Sequence, residues 1–292
     1  MRNPIRGAAA LGMLVLAAGC GAEEGASAVG DAALPQPAAE AGAALAPRVL
    51  AVTAGDFFFR APSTTPAGLT TIRLVNQGPD LHHVQLIRLD EGHTMRELLD
   101  AVSAGGQVPE WAREVGGPNT PAPGEQTETT LDLRPGDYAM VCVIPAPDGV
   151  PHFMKGMVVP LTVTPAADGV AAPEPAADVR MTLTDYAFEF DEIAAGKRVI
   201  RVENRAAQAH EVLLVQLAPG RTLEQLVSWL AKPSGPPPGR PIGGTTAMAR
   251  GEVNYIAADL APGEYALLCL VPDAGDGQPH IAHGMARQIT VR

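Results

Sequence analysis

Polar and apolar residues alternate over Thr70–Val75 (TTIRLV), and less cleanly over Arg198–Glu203 (RVIRVE). A period of two marks a strand with one face buried. Val84–Leu89 and Val212–Leu217 are apolar strand candidates. Asp137–Val143 and Glu264–Leu270 each follow a Pro-Gly turn and read as inner strands, and Val158–Thr164 and Gln288–Val291 close each set. One stretch in each half has helical spacing instead. Met95, Leu98, Leu99 and Val102 form a stripe within Thr94–Ala104, as do Leu223, Leu226, Val227 and Leu230 within Thr222–Ala231. Both stretches begin on Thr with Glu three or two residues later, a full or partial capping signal. The pattern predicts an all-β chain of two sandwiches, each with a short inserted helix.

The two halves are copies. Asn76 is matched by Asn204, His82 by His210, and Leu133-Arg-Pro-Gly136-Asp-Tyr138 by Leu260-Ala-Pro-Gly263-Glu-Tyr265. Cys142, His152 and Met157 are matched by Cys269, His280 and Met285, always 127 or 128 residues on. The expected organisation is a signal peptide over 1–19, a flexible tether over 20–47 and a first domain over 48–165. A linker over 166–177 and a second domain over 178–292 complete it. Equivalent cysteines of two domains should lie a domain apart, too far for a disulfide.

Composition narrows the function. Gly and Pro number 31 and 28, which favours turns and argues against a mostly helical protein. The net charge of −11 excludes the basic face that nucleic-acid binding needs. Arg2 and Arg6 precede an apolar run that ends Leu16-Ala17-Ala18-Gly19-Cys20, which resembles a bacterial lipobox. Cleavage there leaves Cys20 free for lipidation. The expectation is an exported protein, lipid-anchored to the cell envelope on its periplasmic side or at the cell surface, with membrane contact through that anchor.

The repeated residues carry a chemistry. Two imidazoles and a thiolate with a weak axial Met make a blue-copper site. Each half offers that inventory: His82, Cys142, His152 and Met157, then His210, Cys269, His280 and Met285. Period-two geometry puts Tyr138, Met140 and Cys142 on one face, and sets His82 with Val84 and Leu86, leaving His83 on the other face. His83 is matched by Glu211, so His82 is the better ligand. Leu-x-Pro-Gly-x-Tyr reads as a tyrosine corner. Asn76 and Asn204 read as braces for the loop carrying the first His or, equally, as simple turn residues.

Asn76-x5-His82, Gly136-x-Tyr138-x3-Cys142 and His152-x3-Gly156-Met157 resemble the plastocyanin branch of the cupredoxin family, and the second half carries the same set. The resemblance covers nearly all of both domains. It implies two tandem Greek-key cupredoxin-like β-sandwiches, with one type 1 copper per domain and up to two per chain. Nine residues separate Cys142 from His152 and ten separate Cys269 from His280, where simple cupredoxins have only a few. The function that follows is electron transfer with an unidentified redox partner protein. The alternative is a copper carrier or a metal-free binding module. Multicopper oxidases and copper nitrite reductases also use tandem cupredoxin domains. The chain has no His-x-His pair, and its cysteines are flanked by Val and by Leu. The sequence-based expectation is therefore that the chain is not an enzyme.

Overall fold

A computed structural model describes residues 46–103, 107–166 and 172–292. The signal peptide, Cys20, most of the tether and part of the linker lie outside the described residues. The first half forms β1 (Arg48–Gly55), β2 (Phe58–Arg60), β3 (Thr64–Pro66), β4 (Gly68–Asn76), β5 (Gln85–Leu89), α1 (Met95–Ser103), β6 (Ala112–Gly116), β7 (Gln126–Leu133), β8 (Gly136–Val141) and β9 (Val158–Thr164). The second forms β10 (Val179–Thr184), β11 (Ala187–Glu189), β12 (Gly196–Asn204), β13 (His210–Leu217), α2 (Leu223–Ala231), β14 (Gly239–Met248), β15 (Val253–Leu260), β16 (Gly263–Leu268) and β17 (Ala286–Val291). No helix among the described residues is long and apolar enough to cross a membrane.

Each half has its own apolar core between two sheets. Leu50, Val52, Ile72, Leu74, Leu86, Met140 and Leu161 fill the first. Met181, Leu183, Ile200, Val202, Leu214 and Leu267 fill the second. These residues are the inward members of alternating strands, so burying them fixes strand register: a one-residue slip would turn each row to the outside. The tyrosine corners are present. Tyr138 Oη donates to Arg134 O at 2.8 Å and Tyr265 Oη to Ala261 O at 2.9 Å. The helices lie outside the cores. Leu98 of α1 packs on Ile87, Leu89, Ala139 and Val141, and Leu226 of α2 on Val215, Leu217, Ala266 and Leu268. Thr94 and Glu97 close the first capping box. In α2 the box is completed by Gln225, three residues after Thr222, and not by Glu224.

The sheets do not stop at the boundary between halves. One runs β11-β10-β12-β15-β7-β4-β1-β2 and the other β17-β16-β13-β14-β6-β5-β8-β9-β3. The joint in the first sheet is the antiparallel β7–β15 ladder, pairing Leu131 with Asn254, Thr130 with Tyr255, Thr129 with Ile256 and Glu128 with Ala257. Thr129 and Ile256 are equivalent positions, 127 residues apart. The ladder is therefore symmetric about that pair. In the second sheet Val115 faces Met248, Pro118 faces Thr245 and Pro121 faces Ile242. This set is symmetric about Pro118 and Thr245, again 127 apart. An approximate two-fold axis relates the halves.

Glycines allow the close approach at this joint. Gly116-Gly117 and Gly243-Gly244 are equivalent pairs, and all four have positive φ. Thr246 N donates to Gly117 O at 2.9 Å and Asn119 N to Gly244 O at 3.1 Å. Ion pairs Arg113–Glu252 and Arg240–Glu125 flank the joint.

Candidate metal centres

At one end of each half, three donors converge on one point. The groups are His82, Cys142 and His152, and His210, Cys269 and His280, each with one donor atom per residue within 4.8 Å of the others. His82 Nδ1 lies 3.1 Å from His152 Nδ1, and Cys142 Sγ lies 3.6 Å from His152 Nδ1. Cys269 Sγ lies 3.7 Å from His210 Nδ1 and 3.3 Å from His280 Nδ1. All six residues are buried, and both thiols are free. Met157 and Met285 are wholly buried in the same two cores. Their carbonyls accept the amides of Cys142 and Cys269, each at 3.2 Å.

Local structure explains the convergence. Cys142 follows β8 directly and Cys269 follows β16. The second His opens a 3-10 turn, His152–Lys155 or His280–His283, stopped by Gly156 or Gly284 with φ 107° or 96°. The turn is tied to the Cys segment by His152 N to Ile144 O, Phe153 N to Cys142 O and Met157 N to His152 O, at 2.9 to 3.0 Å. His280, Ile281 and Met285 make the same three bonds in the second half.

The long Cys–His loops do not displace the second His of either group. Pro145 bridges to Pro151, and Pro272 to Pro279. The surplus residues leave the site as a side hairpin that closes before the His returns. Ala146 N donates to Val150 O in the first, and Asp273 N to Gln278 O in the second.

The first His of each set is oriented by a carboxylate absent from the sequence expectations. His82 Nε2 lies 2.9 Å from Asp56 Oδ1, and His210 Nε2 lies 2.8 Å from Asp185 Oδ1. A carboxylate only accepts, so the imidazole carries its proton on Nε2 and turns the Nδ1 lone pair into the site, toward His152 in the first half and Cys269 in the second. The next residue, Phe57 or Tyr186, has φ 67° or 65°, uncommon for an aromatic side chain. Its ring stands edge-on against the second His, 5.2 Å from His152 and 5.3 Å from His280. One Asp–aromatic turn thus touches both histidines. The available signal was a repeated Asp–aromatic dipeptide, 129 residues apart.

The loop braces are also in place. Asn76 Nδ2 donates to Asp80 O and Asn204 Nδ2 to Gln208 O, each at 2.8 Å. Met154 is on the rim, 52% exposed. His283 is hydrogen-bonded to Asp276 at 3.3 Å and stacks with Tyr186. His93 stacks on Trp111, away from both centres.

Burial sets the charge state. It pushes the Cys142 thiol up to about 11, and the Cys269 thiol is raised further, with the Glu211 charge adding to the effect. Burial lowers His152 and His210 and holds His280 at about 4. At neutral pH both thiols are protonated and His152, His210 and His280 are uncharged. His152 Nε2 and His280 Nε2 are buried without a hydrogen-bond partner. The atoms that face one another are the Nδ1 atoms and the thiols, and polar atoms so packed in an apolar core are costly unless something shares them. A soft thiolate with two imidazoles suits copper, with zinc as the common competitor for such donors.

No protein-family model and no curated protein sequence matches the chain. Solved structures do. Reduced auracyanin of Roseiflexus castenholzii is 20% identical over 41% of this chain and 99% of its own, with a TM-score of 0.31. A blue copper oxidase of Nitrosomonas europaea is 15% identical over 85% of this chain and 86% of its own, TM-score 0.26. A copper nitrite reductase of that organism is 13% identical over 85% and 94%, TM-score 0.24. The expectation that the chain is not an enzyme does not stand against neighbours of that kind over most of its length. That expectation rested on missing His-x-His pairs, which bear only on a centre built within one chain and not on one shared between copies. The fold is an all-β, cupredoxin-like pair of sandwiches, and the cofactor its two His–Cys–His sets fit is copper.

Proposed function

We propose that each centre holds one type 1 copper through His82, Cys142, His152 and Met157, or His210, Cys269, His280 and Met285, and passes single electrons. This is also the relay task such a centre performs in an oxidase or a reductase. The observation that carries the reading is the pair of buried donor triads whose free atoms face one another. Copper supplies a one-electron couple. The chain supplies a cage whose strand, turn and carboxylate supports resist rearrangement between oxidation states. Among the described residues, an exposed apolar rim adjoins the first centre and not the second: Leu81, Val143 and Met154 are 39%, 46% and 52% exposed. A redox partner protein docks there, and lipid at Cys20 holds the chain at the cell envelope.

The test is a Cu(II) titration of the form beginning at Cys20, read by visible absorption and electron paramagnetic resonance. Two coppers bind, each with an intense thiolate-to-copper band. Each displaces a thiol proton, because the thiols lie well above neutral. Affinity therefore rises about tenfold per pH unit between pH 7 and 9. Tight binding without the band would identify a carrier, and no binding a metal-free module.

The carboxylates make a separate prediction. Asp185→Ala weakens copper at the second centre about 10- to 100-fold, as loss of an outer hydrogen-bond partner does elsewhere. Asp56→Ala does the same at the first. Competition against a chelator of known affinity measures both, and a change under about twofold would leave these residues no orienting role.

A further inference from the structure

The two centres share their donor types and differ in the charges around the second His. In the second half a buried carboxylate faces it. Asp273 is 6% exposed, and its Oδ2 lies 3.8 Å from His280 Nε2. That nitrogen is buried and has no hydrogen-bond partner. The separation is too long for a hydrogen bond, but a charge shielded from water acts strongly across it. Four donors hold Asp273 ionised. Tyr186 Oη and Gln208 Nε2 donate to its Oδ2 at 2.5 and 2.8 Å. The amides of Gly275 and Asp276 donate to its Oδ1 at 2.7 and 3.3 Å. These bonds keep the carboxyl well below the usual carboxylate range.

The first half is built otherwise. Ala146 takes the place of Asp273, each being the first residue after the proline that opens the hairpin. Phe57 stands for Tyr186 and brings no hydroxyl. Asp80 stands for Gln208 and its charge also reaches His152, yet His152 Nε2 has no partner among the described residues. A cation lies nearby instead. Lys155 Nζ sits 5.2 Å from the centre of the Phe57 ring, and that ring stands against His152. His283 holds the Lys155 position in the second half. The acids bonded to this pair, Asp148 and Asp276, are equivalent, as are Asp56 and Asp185, so none of them distinguishes the halves. Glu211 replaces His83 beside the thiol, its amide donating to Cys269 Sγ at 3.4 Å, and when ionised it acts in the same direction as Asp273. A carboxylate beside a copper ligand favours Cu(II), and a cation favours Cu(I).

We propose that Asp273 is a positioning residue that acts through His280, and that with Lys155 on the other side it makes the second centre the one of lower potential. An electron on a half-reduced chain then rests at the first centre, the one with the apolar rim. The inference rests on the copper reading above. In the step, the first centre gains the electron that the second loses. One electron moves, no bond is made or broken, and no co-reactant is consumed.

The experiment is a spectroelectrochemical titration of the copper-loaded chain, with Cys142→Ser and Cys269→Ser isolating each centre. The second potential should lie below the first by a preference on the order of tenfold, about 59 mV. Asp273→Asn keeps the volume and the turn while removing the charge. It should raise the second potential by a similar amount and leave the first where it was. Lys155→Met should lower the first and leave the second, and it carries the test if the Asn variant folds poorly. Equal potentials in the parent, or a second potential that Asp273→Asn leaves in place while both bands remain, would overturn the inference and spare the copper reading. A chain that gives no thiolate-to-copper band would overturn both. A copper-free measurement stands beside these. The Cys269 thiol lies 3.3 Å from His280 Nδ1 and donates to it, so the ring carries its proton on Nε2, aimed at Asp273. Nitrogen NMR of the isotope-labelled copper-free protein should show that tautomer. A proton on Nδ1 would refute the contact whatever the copper content.

Discussion

Cys142→Ser abolishes the thiolate-to-copper band of the first centre completely and leaves that of the second, so the copper-loaded protein keeps one coloured site. Cys269→Ser does the converse. A hydroxyl neither ionises near neutral pH nor offers a soft donor, so the remaining imidazoles cannot produce the band. The scaffold should survive. The bonds that close each site run through the Cys backbone, from Cys142 N to Met157 O and from Phe153 N to Cys142 O. Each Cys also belongs to a separate core cluster, so the two substitutions should add. Visible absorption, electron paramagnetic resonance and a copper count on each variant check this. Persistence of the band in Cys142→Ser, or loss of both bands in either variant, would remove these cysteines from their proposed role.

The largest effect on stability is expected at the joint. A Cβ on Gly244 would stand 1.9 Å from Val212 O, and one on Gly117 would stand 2.2 Å from Val84 O. Both obstacles are backbone, and φ is 130° and 137° at the two positions. Backbone strain of about 1–3 kcal/mol adds to a clash that only movement of a central strand relieves, at about another 1–3 kcal/mol. Gly244→Ala should therefore lower the melting temperature by roughly 10 °C in a domain pair of this size. Gly149→Ala is the control. Its φ is 79°, but nothing lies within 4 Å of the added carbon. Equal melting temperatures for the two variants would mean that close approach at the joint is not what these glycines provide.

The two His–Cys–His groups were legible because such donors recur in the same order in both halves while the sequence between them differs. The strands of each core were legible by their alternation. What escaped was the joint. β7 reads QTETTLDL, polar over its first five residues, yet Thr129 is fully buried and Thr127 and Thr130 nearly so. Their hydroxyls are satisfied by partners distant in sequence, Thr129 Oγ1 by Gly244 O at 2.8 Å and Thr130 Oγ1 by Thr71 Oγ1 at 2.7 Å. Burial by another half leaves no periodic signal in either. Asp56 and Asp185 escaped for a related reason: each meets its His only once the β1–β2 and β10–β11 turns fold over the site. The long Cys–His loops looked like an obstacle because spacing counts residues and cannot show a hairpin pinched off at two prolines.

The symmetric ladder between β7 and β15 has a consequence for origin and assembly. In a self-complementary interface each half is the other's natural lid, so a single copy of the repeat would carry on its β7 edge the means to pair with its twin. Such a twin would come apart on dilution. Joining the copies end to end makes the encounter intramolecular and independent of concentration. It also frees the two copies to diverge. Lys155 in one stands where His283 stands in the other, and Asn119 where Thr246 does. In one chain, the two halves can keep the same fold while their surfaces and sites differ.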